Sequence, residues 1–189
     1  MRKSPIIITY WWGAQNICHN SNTNFFNQSN NEKKTYKQLV DDLKLNVRKV
    51  CQLDFYDEYI DLVQNYQQMI SYKPKFIKKC IQKFRRPVIY IDCDMIFRKK
   101  PKLFIETNGY YDVMFFNWNA EPRINNNFDW YTLETSGGVM YFNNTKRSLH
   151  LIDLWIKKIA NNENKADDRL LSMVFIENKG YKWLTFYWF

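Results

Sequence analysis

Short continuous apolar runs and stretches with helical spacing follow one another along the chain. Residues 88–91 form the clearest apolar run, which is typical of a strand buried on both faces. The pattern predicts strands at 4–10, 47–53, 88–91, 110–116 and 135–142. It predicts helices at 34–46, at 54–71, from Pro74 to Pro87, at 148–160 and at 166–177. Because strands and helices alternate, we expect an α/β fold with a Rossmann-like, mostly parallel central sheet flanked by helices.

One long polar segment interrupts this pattern. Residues 15–33 are rich in Asn, Ser and Thr and show no periodicity, which predicts a flexible loop. The length of 189 residues fits one domain and no internal repeat is visible, so we expect a single domain at 1–189. No apolar stretch approaches the ~18 residues that a membrane span requires. The short apolar run near the N-terminus is interpreted as a strand rather than a signal peptide, which indicates a cytoplasmic or cytosol-facing protein.

The composition is that of a folded protein with many aromatic rings. Hydrophobic residues make up 46% and aromatic residues 18% of the chain, which is too apolar for a disordered protein. The abundance of Tyr, Phe, Asn, Ile and Lys also suggests an AT-rich source such as a virus or a protist. The four cysteines include no Cys-x-x-Cys pair, so the sequence favours reduced thiols over a zinc site or a disulfide framework.

The net charge of +9 indicates an anionic partner, which can be nucleic acid, an acidic membrane surface or a phosphate-bearing small molecule. A solvated basic surface is the plainer alternative. The densest basic groups, at 73–86 and 98–102, flank Asp92 and Asp94 on both sides. This placement favours a phosphate ligand at the two carboxylates over a nucleic-acid groove.

Asp92 and Asp94 directly follow the predicted strand at 88–91. Ligands of open α/β sheets bind beyond the carboxyl ends of the strands, and residues two apart on extended backbone face the same side. Cys93 is then expected to face away into packing. A solvated turn or a helix cap would also accommodate such a pair, but apolar residues continue at 95–97, and charges embedded in this way are costly unless they bind something. Hard carboxylate oxygens suit Mn²⁺ or Mg²⁺.

Several segments, in this order and spacing, resemble the nucleotide-diphospho-sugar transferases of the GT-A fold, including the more distant glycogenin-like group. The resemblance covers the chain from about Pro5 to its end. It rests on Lys73-Pro74-Lys75-Phe76-Ile77, on Val88-Ile89-Tyr90-Ile91-Asp92-Cys93-Asp94 with the later Pro101, on Ser136-Gly137-Gly138-Val139-Met140-Tyr141-Phe142-Asn143, and on Asp167-Asp168-Arg169-Leu170-Leu171.

The resemblance implies a metal-dependent glycosyltransferase with a single GT-A-like domain. Its donor would be a nucleotide-diphospho-sugar, with a UDP-sugar as the expected case, and its acceptor a glycan or a protein rather than nucleic acid. Asp94 would be the main ligand of Mn²⁺ or Mg²⁺, and Asp92 would contact the ribose and the metal. The metal would neutralise the leaving diphosphate as a Lewis acid. Lys73 or Lys75 would touch the diphosphate or the donor sugar, and we favour Lys73.

Two further segments of the resemblance supply candidate site residues. Ser136, Gly137 and Gly138 would let the backbone approach the donor sugar, because glycine leaves room and allows positive φ; the alternative is an ordinary β-bulge. Asp168, and with it Asp167, would lie near the anomeric carbon and take part in catalysis. In the alternative, Asp167 is a helix N-cap and Asp168 a first-turn residue. The family more often has Gln where this chain has Asp.

The two ends of the chain carry the remaining expectations. Tyr10, Trp11 and Trp12 end the first predicted strand, where the resemblance places the nucleotide base; core packing is the alternative. Many relatives supply a third metal ligand, often a His, beyond the last helix. Here that segment is the aromatic run 183–189, which contains no His. We therefore expect either that water and phosphate complete the coordination of the metal or that the chain lacks a C-terminal part. The aromatic run also suggests a homo-oligomer or an acceptor site.

Three alternative functions remain open at the level of sequence. A haloacid-dehalogenase-type phosphohydrolase would use Asp92 as its nucleophile, but that family favours Thr or Val where this chain has Ile96. A basic, aromatic-rich chain can also bind single-stranded nucleic acid without catalysis, although such a protein needs no acidic pair on a central strand. The third alternative is an inactive relative that only binds nucleotide.

Overall fold

The computed structural model describes residues 3–12, 34–61, 66–118, 133–162, 165–178 and 180–186. The predicted loop at 15–33 lies outside these residues. In chain order the elements are β1 (Ile6–Trp12), α1 (Tyr36–Asn46), a π-helical turn (Val47–Cys51), β2 (Phe55–Ile60), α2 (Tyr66–Phe84), β3 (Val88–Ile91), α3 (Lys102–Glu106), β4 (Val113–Asn117), β5 (Thr135–Phe142), α4 (Lys146–Ala160), α5 (Asp167–Glu177) and β6 (Trp183–Phe186).

These strands form a six-stranded sheet in the order β2-β1-β3-β5-β4-β6. β1 pairs in parallel with both β2 and β3, while β5 runs antiparallel to β3 and to β4. β6 pairs in parallel with β4. Every strand except β5 therefore runs in one direction, which confirms the predicted mostly parallel sheet.

Helices cover both faces of the sheet, and alternate residues of the strands feed two separate apolar clusters. Ile8 of β1 belongs to the cluster that includes Phe76 of α2 and Trp155 of α4. Its neighbour Ile7 belongs to the opposite cluster with Leu43 of α1. This alternation follows from the two-residue period of a strand. In the described ranges, no helix has the length and apolar character that crossing a membrane demands.

The prediction for residues 47–71 was wrong in two places. The expected strand at 47–53 is a π-helical turn that continues α1, because Val47 and Cys51 bury their side chains at a helical spacing of four. The expected helix at 54–71 is split between β2 and the start of α2. β2 is an edge strand whose six residues pair with β1, and this tertiary pairing outweighs the local periodicity.

Pro74 lies inside α2 instead of starting a helix. A proline removes one backbone hydrogen bond from a helix interior. Burial continues across it, from Ile70 to Phe76 and Ile77, so packing keeps the helix together. The helix ends as predicted before Pro87, where Arg85 takes a left-handed φ of 50°.

The remaining predicted elements are close to those observed. β3 and β5 have the predicted bounds, α4 begins two residues earlier than predicted, and α5 begins one residue later. Thr145 caps α4 through a hydrogen bond from the Ser148 backbone N–H to its Oγ1 at 3.1 Å. The strand predicted at 110–116 is shifted to Val113–Asn117, and β6 was not predicted.

Candidate functional site

The candidate site lies where β3 ends. The backbone N–H of Asp92 still donates to the Gly138 carbonyl of β5 at 2.9 Å, after which the chain turns, with Met95 N–H donating to the Asp92 carbonyl at 3.1 Å. Asp92 is half-buried, Asp94 is exposed and Cys93 is buried. Cys93 therefore faces packing as expected. Asp94 is not on extended backbone, because the turn has already begun there. The expectation that Asp92 and Asp94 face the same side therefore does not follow from strand geometry.

Lys73 of α2 is the centre of a buried charge cluster. Its side chain is 5% exposed, and its Nζ lies 3.5 Å from Asp92 Oδ1 and 3.1 Å from Asp167 Oδ2. The same Nζ donates a hydrogen bond to the Gly137 carbonyl at 3.0 Å. Burial alone would lower the pKa of Lys73, but the charges of Asp167 and Asp92 raise it well above its ordinary value. The ammonium group thus joins β3, β5 and α5 to α2.

The two carboxylate oxygens of Asp92 have different surroundings. Oδ1 accepts a hydrogen bond from the Tyr90 hydroxyl at 2.6 Å and faces Lys73. Oδ2 accepts no hydrogen bond from the described residues and lies 3.6 Å from the position that a Cβ on Gly138 would take. Burial raises the pKa of this carboxyl to about 6. The positive charge of Lys73 opposes this increase, and the negative charge of Asp94 adds to it. Asp92 therefore has one oxygen held by Tyr90 and Lys73 and a second oxygen that is available to a ligand.

Gly137 and Gly138 form a wall of the site by close approach. A Cβ on Gly137 would lie 2.9 Å from Lys73 Nζ, and one on Gly138 would lie 3.0 Å from Met95 Sδ. Neither glycine has a positive φ, so close approach rather than left-handed backbone distinguishes this position. Both close neighbours are the ends of long side chains, so a Cβ on either glycine would displace Lys73 or Met95. Ser136 Oγ accepts a hydrogen bond from the Gly138 N–H at 3.3 Å.

Asp167 and Asp168 begin α5 and differ in environment. The N-cap of this helix is Ala166, so Asp167 is not the cap. Asp167 is buried, with its carboxylate at Lys73 and its carbonyl accepting from Trp155 Nε1 at 2.8 Å. Asp168 is half-buried, and burial, together with the charge of Asp167, raises its pKa. Its Cβ lies 3.6 Å from the Cβ position of Gly137, which places both aspartates at the glycine wall.

The three aromatic residues at the end of β1 have separate environments. Tyr10 is buried and its hydroxyl donates to the Met69 carbonyl at 2.8 Å. Trp11 is 7% exposed and its Nε1 donates to Asp57 Oδ2 at 3.3 Å. Trp12 is half-buried, and its Nε1 has no hydrogen-bond partner within the described part of the chain. Of the three side chains, Trp12 has the surface that a ligand could reach.

Most basic residues of the 73–86 segment do not converge on the site as the sequence suggested. Lys73 is directed into it and is nearly inaccessible, while Lys75 is exposed. Three of the others are engaged by acidic side chains on the protein surface. These ion pairs are Lys78–Asp153 at 2.5 Å, Lys79–Glu58 at 2.6 Å and Arg86–Asp54 at 2.6 Å. Three of the seven basic residues at 73–86 therefore form surface ion pairs, and Lys73 is the one that contacts Asp92.

The donor set of the site fits a hard divalent cation only in part. The available Oδ2 of Asp92 and the exposed carboxylate of Asp94 are the oxygen ligands that Mg²⁺ and Mn²⁺ prefer. No group of three or more His, Cys, Asp or Glu side chains that could hold a metal occurs among the described residues. Two carboxylates with phosphate and water oxygens are a normal ligand set for Mg²⁺, which keeps several waters.

Sequence analysis did not identify Tyr90. Its hydroxyl holds Asp92, and its ring lies 5.2 Å from Lys73 Nζ. The available signal was its position two residues before Asp92 in the same strand, where side chains share a face. A tyrosine in a buried strand needs a hydroxyl partner, and the following aspartate supplies it.

Solved structures similar to this fold are glycosyltransferases. One is described as a glycosyltransferase involved in the glycosylation of the major capsid of PBCV-1; it is 14% identical, with a TM-score of 0.61 over 96% of this chain and 81% of that chain. The glycosyltransferase GlyE of Streptococcus pneumoniae TIGR4 is 14% identical, with a TM-score of 0.52 over 98% of this chain. Its apo form is 13% identical, with a TM-score of 0.55 over 97% of this chain. The chain spans 45% of the length of either GlyE structure.

At these identities the structural likeness establishes the fold, and the family follows from the sequence. No curated protein is significantly similar to the chain in sequence. The sequence profile of the nucleotide-diphospho-sugar transferases matches residues 33–182, which include β3, β5 and the start of α5. This match favours a glycosyltransferase over the phosphohydrolase and nucleic-acid-binding alternatives. The chain belongs to the nucleotide-diphospho-sugar transferase family, an enzyme family of glycosyltransferases with a GT-A-like fold.

Proposed function

We propose that the protein transfers a sugar from a nucleotide-diphospho-sugar, with UDP as the expected nucleotide, to a glycan or protein acceptor with the help of Mn²⁺ or Mg²⁺. The observation that carries this proposal is the convergence of Asp92, Asp167 and the glycine wall on one buried lysine, Lys73. These residues come from four elements and all lie within the family match. A cluster of this kind at the end of a central strand is the expected place for a ligand.

Asp92 and Asp94 are the residues proposed to hold the metal. Oδ2 of Asp92 and the exposed carboxylate of Asp94 provide its protein ligands. When bound there, the cation would supply positive charge against the diphosphate that leaves the sugar. Lys73 and Tyr90 keep Oδ1 occupied, so Asp92 presents Oδ2 in one orientation.

The donor sugar is proposed to lie along the glycine wall. The Cβ positions of Gly137 and Gly138 are approached by Lys73 Nζ at 2.9 Å and Met95 Sδ at 3.0 Å, so the glycine wall brings these side chains against the backbone of β5, next to which the sugar ring is proposed to lie. Asp168, half-buried at the same wall, is proposed to contact the sugar near its anomeric carbon, and Asp167 to act through Lys73. Trp12, partly exposed at the end of β1, is proposed to meet the nucleotide base.

A protein acceptor is supported by one structural neighbour, whose description places it in the glycosylation of a viral major capsid. β6 is an edge strand that pairs with β4 on one side. Unpaired strand edges are surfaces to which another chain can add. We therefore propose β6 (Trp183–Phe186), within the aromatic run 183–189, as the contact for an acceptor or for a second copy of the chain, which sedimentation analysis distinguishes. Residues 187–189 of that run lie outside the described residues.

Donor turnover and thermal stabilisation test the proposed function. The full chain is incubated with UDP-, GDP- and other nucleotide-sugars, with and without Mn²⁺, while release of the nucleotide diphosphate is measured. We expect one donor to raise the melting temperature and to be turned over only with metal. Asp94→Asn should lower turnover by about 100-fold or more, because charge stabilisation of a leaving group is worth several kcal/mol.

The matched control is Asp153→Asn, which makes the same change at an exposed carboxylate paired with Lys78 on the α4 surface. This control should keep full turnover. Normal donor binding and turnover by Asp94→Asn, or the absence of any stabilising nucleotide-sugar, would contradict the proposed function.

A further inference from the structure

A basic and aliphatic surface lies beside the end of β3, on the α1 side of the sheet. It combines three exposed aliphatic side chains with basic side chains from two segments. The aliphatic residues are exposed to 54%, 59% and 38% at Leu45, Ile96 and Leu103 respectively. We define the basic-aliphatic patch as these three residues with Lys44, Arg48, Lys49, Arg98, Lys99, Lys100 and Lys102.

The two segments of the patch are held together by specific contacts. The side chain of Asn46 donates to the Phe97 carbonyl at 2.9 Å and accepts from the Phe97 N–H at 2.7 Å. Below them, Val47 and Phe104 are buried in the same apolar cluster. The end of α1, the loop at 96–101 and the start of α3 therefore form one continuous, supported surface.

Basic side chains predominate in the two segments of the patch. Residues 43–53 and 95–105 carry seven Lys and Arg and no Asp or Glu, while Asp42, Asp54, Asp94 and Glu106 border them. On the opposite side of the sheet, lysines of α2 and α4 form ion pairs with acidic side chains, as in Lys78–Asp153 and Lys158–Glu177. A concentration of one sign of charge attracts an extended surface of the opposite sign. The patch is therefore suited to a polyanion.

The aliphatic side chains indicate which kind of polyanion fits. Single-stranded nucleic acid is bound by aromatic rings on which the bases stack, whereas the exposed side chains of the patch are aliphatic or basic and the ring of Phe97 beside Ile96 is half-buried against the core. Exposed Leu and Ile among Lys and Arg are instead typical of surfaces that enter the boundary between lipid headgroups and acyl chains. We propose that the basic-aliphatic patch docks the protein on an anionic lipid bilayer.

Docking through this patch leaves the candidate site accessible. Lys73 and Asp167 belong to the side of the sheet that α2 and α5 cover, whereas Leu43 and Phe104 beneath the patch belong to the opposite cluster. The patch nevertheless begins only two residues after Asp94. A docked protein would therefore hold its site close to the membrane without covering it, which places acceptors on or near a lipid surface within reach.

Vesicle binding tests the proposal on the full chain without any nucleotide-sugar, so its outcome is independent of the proposed function. Flotation is compared for vesicles of phosphatidylcholine alone and for vesicles that also contain phosphatidylserine. We expect binding to the anionic vesicles only, and weaker binding as salt is raised. The variant Lys99→Gln/Lys100→Gln/Lys102→Gln should bind roughly tenfold or more weakly, because each basic residue near an anionic surface contributes separately.

The charge control changes three exposed lysines outside the patch in the same way, as Lys146→Gln/Lys157→Gln/Lys182→Gln. It should bind as the unchanged chain does, apart from a small effect of net charge. Equal losses in both triple variants would overturn the proposal, because they would show attraction by net charge alone. Absence of binding to anionic vesicles at low salt would also overturn it.

A second pair of variants tests insertion of the aliphatic residues. Ile96→Ser should weaken vesicle binding several-fold, whereas Ile176→Ser, which changes a 64% exposed isoleucine on α5, should leave it unchanged. Melting temperatures check that both variants fold. Binding of the unchanged chain to a single-stranded oligonucleotide is measured over the same range of salt. If it shows the same salt dependence and Ile96→Ser binds vesicles normally, the patch is a nucleic-acid surface and the proposal is wrong.

Discussion

Asp92 is held through one carboxylate oxygen by two neighbours of different kinds. Tyr90 donates a hydrogen bond to Oδ1 from the same strand, and Lys73 approaches the same atom from α2. Fixing one oxygen fixes the rotamer and so directs the other oxygen into the site. Tyr90 is therefore a positioning residue, which has no need to touch the substrate itself.

Tyr90→Phe should impair donor use while leaving the fold intact. The change removes a hydrogen bond to a charged group, which is worth about 1.5–3 kcal/mol, so we expect kcat/KM for the donor to fall roughly tenfold or more. The melting temperature should fall by only several degrees, because the ring stays in the core and about 2–4 °C is lost per kcal/mol in a chain of this size. Tyr56→Phe is the matched control, since its hydroxyl donates to Glu58 at 2.8 Å and is not part of the site. Unchanged donor kinetics in Tyr90→Phe would show that Lys73 alone orients Asp92.

At the scale of elements, Lys73 joins four of them. Its ammonium group reaches Asp92 after β3, the Gly137 carbonyl in β5 and Asp167 at the start of α5 from its own position in α2. The close approach of Gly137 is part of this junction, since a Cβ there would lie 2.9 Å from Nζ. A buried ion pair costs desolvation, so its stability depends on keeping both charges together.

Lys73→Met should destabilise the protein strongly, because it leaves the 8% exposed carboxylate of Asp167 without its cation. Removing one partner of a buried pair costs about 3–5 kcal/mol. The double variant Lys73→Met/Asp167→Asn should recover part of that loss in denaturant unfolding, because the uncompensated charge is removed. Lys37→Met, at an exposed pair with Asp41, should cost less than about 1 kcal/mol. A double variant no more stable than Lys73→Met would show that the lysine acts through packing.

At the scale of the whole molecule, two apolar layers enclose the sheet and bury one thiol each. Cys51 lies in the α1 layer and Cys80 in the α2 layer, and both are fully buried. Burial raises the pKa of Cys51 to about 11 and that of Cys80 to about 12. Neither thiol is reactive in the folded protein at neutral pH, because the thiolate is the reactive form.

Thiol labelling should therefore report opening of each layer. In a Cys18→Ser variant at pH 8, we expect both cysteines to react at least about 100-fold more slowly than in denaturant, because a buried thiol must be exposed first. Mass spectrometry of the labelled peptides separates the two positions. Rapid labelling of Cys51 alone would show that the α1 layer opens independently of the α2 layer.

The family, the α/β class and the strand that carries the candidate site could be predicted from the sequence. β3 is buried on both faces, so it is recognisable as a continuous apolar run, and β5 ends in such a run at 139–142. The aspartates that follow β3 lie at the carboxyl edge of the sheet, where ligands of open α/β sheets bind. The amphipathic helix α4 was equally clear. These features depend on neighbours within one element, and local sequence specifies them.

Only the tertiary structure decided how the site is assembled. Residues 55–60 were misassigned to a helix because pairing of β2 with β1 outweighs local periodicity. The partners of Lys73 could not be read from spacing, since it meets the Gly137 carbonyl across 64 residues of sequence. For the same reason, the surface ion pairs of Lys78 and Lys79 could not be read from the sequence. The sequence by itself determined which strand carries the carboxylates, whereas folding determined which oxygen of Asp92 is held and which is available, because that depends on groups brought together from distant segments.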